Sequence, residues 1–155
     1  MREPKVVSRI ARPDEFDVAA RIARSVMAES TAPRGMADLE ALVNSANGSW
    51  LVALVQDEHV GVARFANPAI PRPVIYLVAV HPKARGLGVG ANLVDEFRRL
   101  CREAGEFHVD AYALPGDRAT KNLYERAGLT ARMIIASGSS APSLSEPSTS
   151  GRASR

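Results

Sequence analysis

Apolar residues along the chain recur with two different periods, and the points where the period changes mark out its elements. Val6 to Ile10 reads as a first strand. Pro13-Asp14 then opens a helix in which Phe16, Ala19, Ile22, Ala23, Val26 and Met27 share one face, ending near Glu29. Ser30 to Gly35 breaks that rhythm. A second amphipathic run, Met36, Leu39, Leu42, Val43 and Ala46, follows and is terminated by Asn47-Gly48. Two strands, Trp50 to Val55 and Val60 to Phe65, are separated by the polar Gln56-Asp57-Glu58-His59, which suits an antiparallel hairpin. With three prolines, Asn67 to Pro73 must be a loop.

The run Val74-Ile75-Tyr76-Leu77-Val78-Ala79-Val80 is apolar without alternation and rich in β-branched residues, the pattern of a central strand buried on both faces. Beyond it, Val89, Leu93, Phe97, Leu100 and Ala104 recur on one helical face, with Gly105 where a C-terminal cap is expected. Phe107 to Ala113 predicts another strand. Pro115-Gly116-Asp117 turns the chain into a short helix through Ala127, closed by Gly128, and Leu129 to Ala136 predicts a last strand. The predicted order is βααβββαβαβ, an α/β (α+β) arrangement in one domain over residues 1–136. From Ser137 to Arg155, Ser, Pro, Gly, Ala and Thr dominate. Such a tail buries too little to offset the cost of ordering its backbone, and disorder is predicted there.

Composition narrows the picture. A chain of 155 residues, 46% apolar and 24% charged, has ordinary values for one soluble domain. No stretch approaches the ~20 uninterrupted apolar residues of a membrane span. The N-terminus Met1-Arg2-Glu3-Pro4-Lys5 lacks a signal-peptide core, so a cytoplasmic location and no membrane partner are expected. The single Cys101 precludes an internal disulfide; among Phe97, Leu100 and Ala104 it reads as a small buried hydrophobe, not a nucleophile. The net charge of +3 is spread over scattered basic residues, several beside acids, so a nucleic-acid partner is not expected. A polyanionic small molecule accounts for the excess equally well.

The densest chemical signal is His81-Pro82-Lys83-Ala84-Arg85-Gly86-Leu87-Gly88-Val89-Gly90-Ala91, set between the buried strand and an amphipathic helix. Alternating glycines let the backbone curl tightly and bring N–H groups close to a ligand, while the helix start adds unpaired donors and the positive end of a dipole. That is an anion site suited to a pyrophosphate, with Arg85 able to make charge-assisted bonds at its rim. Three spaced glycines can also merely solve a packing problem at a strand-to-helix turn. A Walker A loop is excluded, because no Lys-Ser/Thr pair follows the glycines. Gly86 to Ala91 formally fits the dinucleotide fingerprint, with Asp110 about 20 residues beyond. However, five residues separate the glycines from the strand, and too little structured chain follows for two further βα units.

These residues resemble the GNAT acetyltransferase superfamily, whose acetyl-CoA signature is Arg/Gln-x-x-Gly-x-Gly/Ala between the fourth strand and the third helix. Arg85 to Gly90 fits it in full, Val78-Ala79-Val80-His81-Pro82 looks like the family's strand end, and Asn122 to Leu129 resembles its Leu-Tyr-Glu-Lys-x-Gly-Phe segment. The element order agrees as well, over about residues 5–136. The resemblance implies a central mixed, mostly antiparallel sheet of about six strands flanked by four helices. It also implies an N-acetyltransferase using acetyl-CoA as cosubstrate, without a metal, by direct attack of an amine in a ternary complex. By the same resemblance, backbone groups along Val78, Ala79 and Val80 pair with the pantetheine arm, and an N–H near Val78 stabilises the oxyanion. The loop from Arg85 through Gly86, Leu87, Gly88, Val89, Gly90 and Ala91 holds the pyrophosphate. Tyr124 protonates the departing thiolate. Read from pattern alone, Tyr124 is a core residue, since Leu123, Tyr124 and Ala127 lie on a short helix that must pack on the sheet.

Three departures qualify the match. The strand from Val74 to Val80 carries no acid, so the family's frequent strand glutamate has no counterpart, and His81 is the nearest titratable side chain. Asp117 stands where relatives often carry an asparagine that contacts the coenzyme; a carboxylate accepts but does not donate. Gly128-Leu129 replaces the usual Gly-Phe, and the predicted elements stop one strand short of the family's final hairpin. That leaves a sheet edge for the tail or a partner chain to cover, as in a homodimer. The acceptor, a small-molecule or protein amine, is bordered by Ser30 to Gly35 and Asn67 to Pro73, where Arg34 and Arg72 would favour a carboxylate or phosphate. The alternative reading keeps the fold and coenzyme and drops catalysis, leaving an acyl-CoA-binding or partner-binding module.

Overall fold

The computed structural model describes residues 4–31, 33–66, 72–130, 136 and 140. Strand β1 (Val6–Ile10) leads through a 3-10 turn at Pro13–Glu15 into helix α1 (Phe16–Ser30), and a second such turn precedes α2 (Met36–Val43). Three antiparallel strands follow: β2 (Gly48–Val55), β3 (Glu58–Ala66) and β4 (Val74–Val80). Helix α3 (Val89–Glu103), strand β5 (Asp110–Ala111) and helix α4 (Arg118–Arg126) complete the described elements. The sheet runs β1-β2-β3-β4-β5, with β5 alone parallel to its neighbour. The predicted last strand, Leu129 to Ala136, lies for residues 131–135 outside the described residues, as does nearly all of the predicted tail and most of the Asn67 to Pro73 loop.

Four boundaries differ from the sequence reading. Helix α2 stops at Val43 and does not run on to Ala46. Carbonyls at and just beyond its last turn are taken by the buried Arg64, whose Nε donates to Leu42 O at 3.2 Å and whose Nη2 donates to Ser45 O. Gly48 belongs to β2 and does not act as a helix stop; a Cβ there would stand 2.8 Å from Arg64 Cζ, so a larger residue would have to displace the guanidinium. Strand β5 is much shorter than Phe107 to Ala113, because Asp110 already faces Val74, the first residue of β4. Phe107 therefore has no strand to pair with and is 82% exposed. The β2–β3 turn is also tighter than its four polar residues suggested: Gln56 and Asp57 form it alone, with φ of 52° and 65°, the left-handed pair that matches the twist of a hairpin.

The sheet separates two apolar layers. On one face Leu51, Ala63, Phe65, Ile75 and Val78 meet Val89, Leu93, Phe97 and Cys101 of α3 and Tyr124 of α4, and the Phe65 and Phe97 rings pack edge to face at 5.7 Å. On the other, Trp50, Val52, Val62, Leu77 and Ala79 meet Ala19, Ala23 and Met27 of α1 and Leu39 and Val43 of α2. Gly61 lets α3 begin directly on the sheet, since a Cβ there would stand 2.6 Å from Val89 Cγ1. Among the described residues no helix is long and apolar enough to cross a membrane.

Candidate active site

The site is organised by an irregularity in β4. Gly61, Val62, Ala63 and Arg64 face Val80, Ala79, Val78 and Leu77 in turn, but Phe65 faces Ile75, so Tyr76 is an extra residue with no partner on β3. This bulge switches the side-chain alternation: Ile75 packs in the α3 layer, whereas Leu77 and Ala79 pack in the α1–α2 layer. On its other edge, β4 pairs with β5 only at Val74 and Ile75, and the last bond between them runs from Tyr112 N–H to Ile75 O at 2.9 Å. Beyond that bond the two strands part. Val78, Ala79 and Val80 thus lie on a β4 segment whose β5-facing edge, among the described residues, has no strand paired to it.

Tyr124 sits at this fork. It is buried, and its hydroxyl donates at 2.9 Å to the carbonyl of Tyr112, the residue whose N–H makes the last β4–β5 bond. Burial, with the charge of Asp117 second, holds the phenol well above its ordinary pKa, so it remains protonated. Asp117 itself is the N-cap of α4: its Oδ1 accepts from Thr120 N at 3.1 Å and its Oδ2 from the Thr120 hydroxyl. Its carboxylate is occupied within the fold, which explains an aspartate at this position.

The loop ahead of α3 divides its glycines between two tasks. Gly86 and Gly88 adopt φ of 86° and 76°, and a Cβ on either would meet nothing within 4 Å; they shape an open concavity. Gly88 is the N-cap of α3 and supplies no side chain to its first turn, which holds no acid. The amides of Val89, Gly90 and Ala91 have no carbonyl one turn back and face outward from the helix start. Arg85 is exposed and, among the described residues, makes no ion pair. Leu87 is exposed too, at 41%. Gly90, by contrast, is small for packing: a Cβ there would stand 3.0 Å from Leu123 Cδ2 of α4. Val89 is buried under the sheet, so its backbone alone is available to a ligand. A pyrophosphate fits this cradle, in space, in donors and in charge.

The structure also places the other residues that the sequence singled out. His81 Nδ1 accepts from Lys83 N at 3.2 Å, capping the short turn at Pro82–Ala84, so that nitrogen is engaged in structure. Cys101 is 1% exposed, and burial pushes its thiol up to about 11, as befits a core residue. Arg72 is held at the surface by Asp110 at 3.3 Å. The side chain of Arg34 is outside the described residues.

Sequence reading missed the aromatic pair at the fork. Tyr76 and Tyr112 lie with ring centroids 5.6 Å apart at 53°. Tyr76 was counted as one residue of an apolar strand, and the bulge that frees it leaves no mark in an unbroken apolar run.

Comparison with known families finds that the model of the acetyltransferase (GNAT) family matches residues 19–129. No curated protein sequence matches the chain. Among solved structures, the ribosomal-protein-alanine N-acetyltransferase from Brucella melitensis biovar Abortus 2308 superposes with a TM-score of 0.66 at 21% identity, over 87% of this chain and 98% of that one. An aminoglycoside N-acetyltransferase in complex with CoA gives 0.62 at 17% identity, over 88% and 97% of the two chains. An aminoglycoside acetyltransferase from an uncultured soil metagenomic sample, in complex with trehalose, gives 0.64 at 18%, over 89% and 97%. At these identities the likeness establishes the fold.

Proposed function

Because the chain belongs to the GNAT acetyltransferase family, we propose that it transfers an acetyl group from acetyl-CoA to a primary amine, with Tyr124 as the acid. The observation that carries this reading is the open glycine cradle at the start of α3, which follows the edge of β4 left without a paired strand among the described residues. Amides of Gly86 to Ala91 and the Arg85 side chain bind the pyrophosphate. The free edge along Val78 to Val80 takes the pantetheine arm as an added strand. Two anchors fix the thioester at the fork, and orientation of this kind removes several kcal/mol of barrier, roughly 7 at the lower end of measured effective molarities.

The amine nitrogen attacks the thioester carbon, and the negative charge that develops on its oxygen is met by a backbone N–H near Val78. As the carbon–sulfur bond breaks, its electron pair goes to sulfur. The Tyr124 hydroxyl releases the Tyr112 carbonyl and gives its proton to the thiolate; the amine loses one proton to water, and the phenolate is reprotonated from solvent. β4 carries no acid, so the amine arrives deprotonated and is not relieved of a proton by a dedicated strand carboxylate. The deciding experiment follows thiol release from acetyl-CoA over a panel of amines for wild type and Tyr124→Phe. Acetyl-CoA binding without turnover of any amine would instead favour the acyl-CoA-binding module.

A further inference from the structure

We propose that Tyr76 and Tyr112 form the wall against which the acceptor rests, and that the acceptor is a monoamine with a flat aromatic or apolar body, not a polycation. This rests on the acetyl-transfer reading above and adds the acceptor class to it.

Tyr76 is the unpaired residue of the β4 bulge, so its side chain is not committed to a cross-strand partner, and it is only partly buried. Tyr112 is the residue at which β5 leaves the sheet, and its ring is 43% exposed. The two rings tilt together at 5.6 Å, and the backbone carbonyl of the same Tyr112 holds the Tyr124 hydroxyl. One residue therefore offers a ring to the acceptor and fixes the position of the acid. An amine resting on that ring is placed beside the thioester by the group that positions the proton donor.

The charges around the pair decide against a polycation. Arg64, opposite Leu77 and so beside the bulge, is buried and stands 4.9 Å from the Trp50 ring centre on the α1–α2 face. Asp110, two residues before Tyr112, is already bound by Arg72 at 3.3 Å and lies 3.3 Å from His108. The buried charge on this face is positive and the adjacent carboxylate is taken, whereas a polycation needs several free carboxylates. Aromatic faces suit one ammonium group or a flat apolar body.

Binding can be read apart from turnover by titrating 2-phenylethylamine and kanamycin calorimetrically into the protein saturated with CoA. Wild type should bind 2-phenylethylamine more tightly than kanamycin. Tyr112→Ala should weaken 2-phenylethylamine about tenfold, and Tyr112→Phe, which keeps the ring, should restore it. Tyr76→Leu should weaken it by several-fold. Tighter binding of kanamycin, no binding of 2-phenylethylamine to the CoA complex, or equal binding by Tyr112→Ala overturns the proposal. Failure of acetyl-CoA itself to bind is the distinct result that removes the reading beneath it.

Discussion

The Tyr124 hydroxyl and the Tyr112 carbonyl, 2.9 Å apart, share a hydrogen bond at the position where β5 releases β4. The bond ties α4 to the fork and holds a proton donor there in one orientation. Tyr124→Phe removes the donor while keeping the buried ring. The carbonyl it leaves unpaired should cost about 1 kcal/mol, lowering Tm by a few degrees. The catalytic loss should be far larger, about 10²- to 10⁴-fold in kcat. Stabilisation by acetyl-CoA should persist, because the ring does not bind the pyrophosphate. A kcat within a fewfold of wild type would remove Tyr124 from the acid role.

The pH profile gives an independent reading of the same group. Burial and Asp117 both raise the Tyr124 pKa, so the phenol keeps its proton through the neutral and mildly alkaline range. The rate should therefore rise with pH as the acceptor amine loses its proton, then level off, with no descending limb from Tyr124 up to about pH 9.5. Initial rates at saturating acetyl-CoA across that range make the check. A bell-shaped curve with an alkaline limb would require a different acid.

For the cradle, Gly88 is the sharpest probe. Its φ of 76° and the empty space where a Cβ would stand separate two effects of substitution. Gly88→Ala should cost about 1 kcal/mol of backbone strain and leave coenzyme binding measurable. Gly88→Glu adds the same strain plus a carboxylate where a pyrophosphate would sit. At a hundredfold excess over Kd, acetyl-CoA should stabilise wild type by about 2.7 kcal/mol, and Gly88→Glu by almost nothing. Equal thermal shifts in wild type and Gly88→Glu would place the coenzyme elsewhere.

Much of this arrangement was legible in the sequence, and its gaps have physical causes. Both ends of β1 and β4 agree with the pattern, as does the start of α3 at Val89, because short runs rich in β-branched residues and a 3.6-residue stripe leave few alternatives. The glycine loop was legible because positive φ restricts residue choice. A one-residue bulge at Tyr76 was not, since its only sequence trace would be a break in an alternation that the buried strand lacks. Arg64 falls within the predicted strand Val60 to Phe65 with nothing in the pattern to single it out; its burial, and the end of α2 beside it, involve a tertiary contact with Leu42 and Ser45. Glu15 was likewise invisible as anything but an early helix residue.

That glutamate closes a charged cluster at the edge of the sheet. Its carboxylate accepts from Arg9 at 2.6 and 3.1 Å and from Arg12 N at 2.9 Å, and it lies 2.5 Å from His59 Nε2, so it joins β1, the turn before α1 and β3. The Arg9 hydrogen bond is the largest influence on it, and the carboxyl is held far below the ordinary 4.5 although the site is buried. A folded-state pKa below the unfolded one means that the folded chain binds fewer protons. The stability from Glu15 is then fully present above about pH 4.5 and declines as the pH falls below it. Glu15→Gln, which keeps the size and removes the charge, should cost about 2 kcal/mol at pH 7. Urea midpoints for the two proteins should draw together as the pH is lowered from 4.5 toward 3, since the unfolded wild type then takes up a proton that the folded carboxylate still refuses. A difference that stays constant from pH 7 to about pH 3 would mean that the cluster stabilises by packing and not by the carboxylate's charge.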